Sequence, residues 1–207
     1  PVVVAQGPLS QTTIRLVERG IKRDNPDVYA VEIMNYILGG GGFNSRLMRE
    51  IRSNRGLAYS VFSHFSVGRR LQGAFFAGCE TKAESVAEAV GLFASIMQDL
   101  RAQVVTEEEL QLAKQSRINS FVFRFENRHS LVTKVMEYDF YGYPEDYLTR
   151  YREHIRSVTV QDVLRAAQKY LHPERQAIIL VGKIGAEEIA TLAQEREVEN
   201  INPQDLL

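Results

Sequence analysis

Two hydrophobic rhythms share this chain, and the order in which they occur limits the folds open to it. Thr12 to Glu18 alternates, with Thr12, Ile14 and Leu16 on one side and Thr13, Arg15 and Val17 on the other, so it reads as a strand. Tyr59 to Val67 alternates again. Leu71 to Glu80 reads as its hairpin partner, with Gly68-Arg69-Arg70 as the turn. From there to Ala177 the spacing is that of helices, and Ala177 to Gly182 is one more apolar strand. Strands that cluster early, return once near the end and flank a long helical block predict an α+β fold. The expected architecture is a mostly antiparallel sheet with the helical block packed on one face. There is no internal repeat, low-complexity segment or Pro/Ser-rich linker, so residues 1–207 are expected to form a single domain.

The helix signals are local. Asn25-Pro26 predicts a helix start, with Asn25 as N-cap and Pro26 in the first turn. Ala30, Ile33, Met34, Ile37 and Leu38 give that helix one buried face, and Gly39 is its expected stop. A short segment from Asn44 to Asn54 turns Leu47, Met48 and Ile51 inward and ends at Gly56. Capping boxes are read at Thr81 to Glu84, at Thr106 to Glu109 and at Thr159 with Asp162. The tail from Asn200 is polar and expected to be mobile.

Composition excludes more than it assigns. Lys and Arg number 25 and Asp and Glu 26, a formal net charge of −1 that argues against a whole-surface attraction to nucleic acid or anionic membrane. The apolar run Val2 to Val4 is too short for a membrane span. A single cysteine, Cys79, excludes an intrachain disulfide and a Cys-based zinc site; on an apolar strand it reads as a buried small hydrophobe. The histidines are His64, His129, His154 and His172, no two of them four apart. Neither HxxEH nor HExxH occurs; Glu153-His154 is only the tail of such a string, with Arg150 where the first His would stand. This chain is therefore expected to bind no catalytic metal or other cofactor itself. It opens at Pro1 without Met, as a fragment would.

The most specific stretch is Leu38 to Ser60, LGGGGFNSRLMREIRSNRGLAYS. Its four glycines, Gly39, Gly40, Gly41 and Gly42, are not followed by Gly-Lys-Ser/Thr and lack dinucleotide-fingerprint spacing, so a phosphate loop is excluded. Taken alone, the run reads as a flexible connector or as a place where another backbone approaches closely. As a whole, the string resembles the C-terminal, zinc-free domain of the pitrilysin/insulinase family of zinc metallopeptidases. Gln11 to Leu16 is similar to that domain's opening strand. Glu126-Asn127-Arg128 and Phe140 to Tyr147 are similar to its later landmarks. Val158-Thr159 through Pro173 resembles its last long helix, and Ile178 to Gly182 its closing strand. The resemblance covers residues 9–183, taken as the core, and leaves a polar tail at 195–207.

The resemblance implies a half-clamshell domain that helps to hold an extended peptide substrate. It places zinc in a partner domain bearing HxxEH, on the same polypeptide or on a separate subunit. It also implies that Arg52 and Tyr59, seven residues apart across a helix-to-strand junction, reach into that partner's active site. A Tyr hydroxyl can donate to a developing oxyanion, and a permanently charged Arg can fix peptide carbonyls. From the residues alone, Arg52 also reads as a solvated charge, and Tyr59, on the strand parity of Val61 and Phe65, as a core aromatic. Arg55 stands too close to Tyr59 to be the matched arginine. Gly39 to Gly42 match a glycine-rich segment that handles substrate in the mitochondrial processing peptidases. Ser45-Arg46-Leu47 reads as structural, with Leu47 in the core and Arg46 paired to a neighbour. The cluster from Tyr138 to Tyr151 is flanked by Glu137, Asp139, Glu145 and Asp146, which argues for helix packing over nucleic-acid stacking. Similar bacterial proteins are often exported, so the periplasm is the implied compartment. The alternative is a non-catalytic scaffold of the same fold, as in core subunits of respiratory complexes. A third reading is a free-standing module that binds peptide at a strand edge.

Overall fold

The structure, a computed structural model, describes residues 1–125 and 127–202. In chain order its main elements are β1 (Val2–Gln6), β2 (Thr12–Arg19), β3 (Ile21–Lys22), α1 (Val28–Asn35), β4 (Ala58–Phe65), β5 (Val67–Gly68) and β6 (Ala74–Thr81). There follow α2 (Val86–Ala102), α3 (Glu107–Val122), α4 (Arg128–Phe140), α5 (Tyr147–Ser157), α6 (Val160–Tyr170), β7 (Ala177–Gly182), α7 (Ala186–Ala193) and β8 (Val198–Ile201). Six strands form one sheet in the order β4-β6-β2-β7-β1-β8. The pairs β4–β6, β6–β2 and β2–β7 are antiparallel, and β7–β1 and β1–β8 are parallel. The fold is α+β, as the order of the rhythms predicts.

Strand alternation places the core. Val2, Val4, Ile14, Leu16, Phe75, Ala77, Cys79, Ile178 and Leu180 are all buried on one sheet face. Against that face α2 sets Val86, Ala89, Val90, Phe93, Ile96, Met97 and Leu100, the i, i+3, i+4 stripe of an amphipathic helix. Helices α1 and α6 pack beside it through Val31, Ile33, Met34, Val163, Ala166 and Ala167. The opposite sheet face is open enough to leave Phe76 and Ile179 exposed. No helix among the described residues is long and apolar enough to cross a membrane.

Several local expectations change. The first helix begins at Val28, not at Pro26: Asn25 Oδ1 accepts the Asp27 N–H at 2.9 Å and so caps the turn before the helix. Gly39 does not stop that helix. It continues through a π-helical turn, Tyr36–Gly40, closed by Gly41 N–H donating to Tyr36 O at 2.9 Å. The expected box at Thr81 does not form, because the buried Thr81 hydroxyl donates to Leu57 O at 2.7 Å instead. The boxes at Thr106 and Thr159 do form. Asn127 caps α4 by accepting from Ser130 N–H at 2.8 Å, while its neighbour Glu126 lies outside the described residues. The tail expected to be mobile holds a strand: β8 pairs with β1 from Val2↔Val198 to Ala5↔Ile201. Residues 203–207, the rest of that tail, lie outside the described residues. The core thus extends past the 9–183 limits at both ends.

Candidate functional site: an arginine clamped between two aromatic rings

The chain between α1 and β4 folds back on itself. After the Tyr36–Gly40 turn comes a short 3-10 turn, Gly42–Asn44, and then a second π-helical segment, Met48–Asn54. Leu47, Met48 and Ile51 anchor that segment in the core, which leaves Arg52 on its outer side. Gly42 has φ +58°, the left-handed region where a side chain is strained, and it turns Phe43 outward. Ser45 Oγ donates to Gly42 O at 2.7 Å and fixes that turn.

Tyr59 owes its position to a bulge. Ala58 pairs with Thr81 but Val61 with Cys79, so β4 carries one residue more than β6 over this span. The parity therefore slips. Ala58 and Val61 are buried, and Tyr59 and Ser60 both face solvent, Tyr59 at 83% exposure. The core-aromatic reading of Tyr59 is overturned by this extra residue.

Arg52 and Tyr59 meet. The Arg52 guanidinium carbon lies 4.5 Å from the Tyr59 ring centroid and 4.5 Å from that of Phe43. The cation is held between two aromatic faces, an attraction between its charge and the ring quadrupoles. Phe43 is 67% exposed, as a purely structural phenylalanine rarely is. The family resemblance pointed to the arginine and the tyrosine but not to Phe43; a large apolar residue directly after a glycine run, outside any periodic segment, was the available signal.

The other arginines of the segment are committed to carboxylates. Arg46 donates through Nε and Nη2 to Glu109 at 2.8 and 2.7 Å, tying the segment to α3. Those hydrogen bonds hold the Glu109 carboxyl below the ordinary glutamate range. Arg55 reaches Glu50 at 3.3 Å and Glu88 at 3.4 Å. Among the described residues Arg52 makes no ion pair, so its guanidinium has no carboxylate partner there.

The glycine run lies against β4. A Cβ on Gly39 would stand 2.5 Å from Ser63 N, so only glycine lets the helix end approach the strand this closely. Asn35 completes the contact, its Nδ2 donating to Ser63 O at 3.3 Å and its Oδ1 accepting from Ser63 Oγ at 2.9 Å. Gly39, Gly40 and Gly42, with Ser60, line one end of a cleft of about 950 Å³ between α1, β4 and the turn at Gly142–Pro144. Gly41 stands just behind, against the Tyr36 ring. At the inner wall Glu32 is bound by Arg117 Nε at 2.7 Å and by the Tyr151 hydroxyl at 2.6 Å.

Metal and thiol chemistry find no setting here. Among the described residues no three His, Cys, Asp or Glu side chains converge to hold a metal ion, so these residues do not fit a zinc site. His154 is stacked on Tyr29 at 4.6 Å, and His64 stands exposed on β4. Cys79 is fully buried in the core, and burial pushes its thiol up to about 12.

Comparison with known proteins gives this geometry a context. The family described as the peptidase M16 inactive domain matches residues 1–117. A crystal structure of a peptidase M16 inactive domain from Pseudomonas fluorescens superposes with a TM-score of 0.82 at 32% identity, over 89% of this chain and 44% of that one. An uncharacterized zinc protease of Mycobacterium leprae is 31% identical over 82% of this chain and 38% of its own length. The non-peptidase homolog YmxG of Helicobacter pylori is 29% identical over 69% of this chain and 33% of its own. The chain thus spans 28% to 40% of the length of the curated relatives it matches.

Proposed function

From the premise that this chain belongs to the peptidase M16 inactive-domain family, we propose that it is the substrate-holding half of a metalloendopeptidase. Its partner in this reading is a zinc-binding HxxEH domain, on the same polypeptide or a separate one. This half contributes no metal ligand. It contributes Arg52 and Tyr59 to an extended peptide lying between the two halves, with Gly39, Gly40, Gly41 and Gly42 beside the path of that peptide.

The observation that carries the reading is the clamped guanidinium. Arg52 is fixed in orientation by two rings 4.5 Å away, has no carboxylate partner among the described residues, and sits beside a phenol that a bulge holds in solvent. Such a fork donates to peptide carbonyls without first breaking an ion pair. The Tyr59 hydroxyl donates to an oxygen on which negative charge builds during amide hydrolysis, an interaction stronger in the transition state than in the ground state.

The test is Tyr59→Phe in the assembled enzyme with a quenched fluorescent peptide. Turnover is expected to fall by about 10²-fold with little change in KM, the mark of a hydrogen bond made in the transition state. Unchanged turnover removes Tyr59 from the mechanism. A second reading, a scaffold that keeps the fold without catalysis, has in its favour the designation of the Helicobacter pylori relative as a non-peptidase homolog. It predicts no cleavage above that of the metal-bearing partner alone.

A further inference from the structure

The cleft beside the pair has walls of its own. Tyr29 and Tyr36 line it from α1 and the following turn, Phe65 from β4, and Tyr143 and Tyr147 from the far side. Those far-side rings are braced. Tyr143 lies 4.7 Å from both Tyr138 and Tyr147, and Arg23 stacks on it at 4.4 Å while donating to Gly142 O at 3.0 Å. The charged groups at the inner wall are already matched, Glu32 being bound by Arg117 and Tyr151. A volume of about 950 Å³ with aromatic walls is the size and chemistry of a binding pocket.

We propose that this cleft takes a bulky apolar side chain, aromatic for preference, from the same peptide whose backbone lies on Arg52 and Tyr59. The inference rests on reading that pair as a substrate contact. Continuity carries it: Gly42 and Ser60 line the cleft, and the next residue to each, Phe43 and Tyr59, flanks Arg52. The edge of β4 argues for a side chain over an added strand. Ser63 O is occupied by Asn35, and Gly39 lies against Ser63 N, so an incoming backbone finds neither group free. Ser60 to Phe65 border the cleft, and an extended peptide advances about 3.3–3.6 Å per residue. The accepted side chain therefore belongs to a residue about two to six positions from the one held at the pair.

The chain contains no tryptophan, so His64→Trp, at an exposed position on the cleft wall, places a single fluorescent reporter there. Labelled peptides of Gly, Ser and Ala, each carrying one Phe at a successive position, are titrated against the chain by anisotropy. One or two neighbouring Phe positions are expected to bind about tenfold tighter than the Phe-free scaffold, in line with burying most of a phenyl ring. Only those peptides are expected to shift the indole emission of the His64→Trp variant to the blue. Filling the cleft with Val28→Phe is expected to reduce the Phe advantage to under twofold, with the scaffold's own affinity unchanged. Equal affinity at every Phe position, no binding at all, or an equal loss for every peptide on filling overturns the inference. Arg52→Ala and Tyr59→Phe separate it from the reading of the pair. If they weaken binding while Phe placement is without effect, the pair stands and the cleft falls. If they are silent while Phe placement still matters, the cleft stands and the pair falls.

Discussion

Tyr59 stands in solvent because its strand holds one residue too many for its partner, and that single insertion turns an interior position outward. Phe43 adds a second aromatic contact, its ring centroid 4.5 Å from the Arg52 guanidinium carbon. An exposed cation–π contact is worth about 0.5–1 kcal/mol. Phe43→Ala is therefore expected to raise KM for peptide by about two- to fivefold with kcat nearly unchanged, and Phe43→Tyr to restore it. Steady-state kinetics of the assembled enzyme check this, and a parallel fall in kcat would point to a role beyond holding Arg52. At this scale the sequence is legible where a residue's chemistry is intrinsic. Arg52 and Tyr59 were singled out by the family resemblance, and their donors made the choice chemically sensible; the contact between them could not be read, since it depends on a bulge created by pairing with β6. Phe43 carries no donor and no periodicity, and only the folded chain brings it to Arg52.

At the level of elements, the glycine run is a packing device before it is anything else. Gly39→Ala drives a methyl into the Ser63 backbone and is expected to destabilise the protein by about 1–3 kcal/mol, the range for overpacking a tight contact. Urea unfolding measures it, and wild-type stability would refute the close approach. Glu109 serves two elements, since it completes the capping box of α3 and holds Arg46 of the glycine-run segment. Hydrogen bonds from Arg46 lower its folded pKa below the ordinary 4.5. Its stabilisation is therefore fully present above the unfolded value and is lost as pH falls through the lower folded one. Glu109→Gln is expected to lower Tm at pH 7, with the gap to wild type narrowing toward pH 3; a gap constant with pH would assign the loss to packing alone. Capping boxes at Thr106 and Thr159 were legible because their partners lie three residues away. The one at Thr81 was misread because a distant carbonyl, Leu57 O, outcompetes the local bond. The π-helical turns escape any reading built on a 3.6-residue period.

Taken whole, the molecule folds without a metal site among its described residues. A strong chelator is accordingly expected to leave the Tm of this chain unchanged and, on the proposed reading, to abolish peptide cleavage by the assembled pair of domains; a drop in Tm would reveal a structural metal. The α+β architecture was legible from the order of two rhythms. The strands β1 and β8 at one end of the sheet were not, because parallel neighbours far apart in sequence leave no turn signal, and β8 mixes polar residues with apolar ones. Their pairing has a mechanical consequence. β1 and β8 run side by side in the same direction, so tension applied at Val2 and at Ile201 pulls the two strands past each other lengthwise. Their rungs, from Val2↔Val198 to Ala5↔Ile201, bear that load together and do not peel one at a time. The domain is thus built to resist stretching along the line where β1 and the edge strand β8 meet.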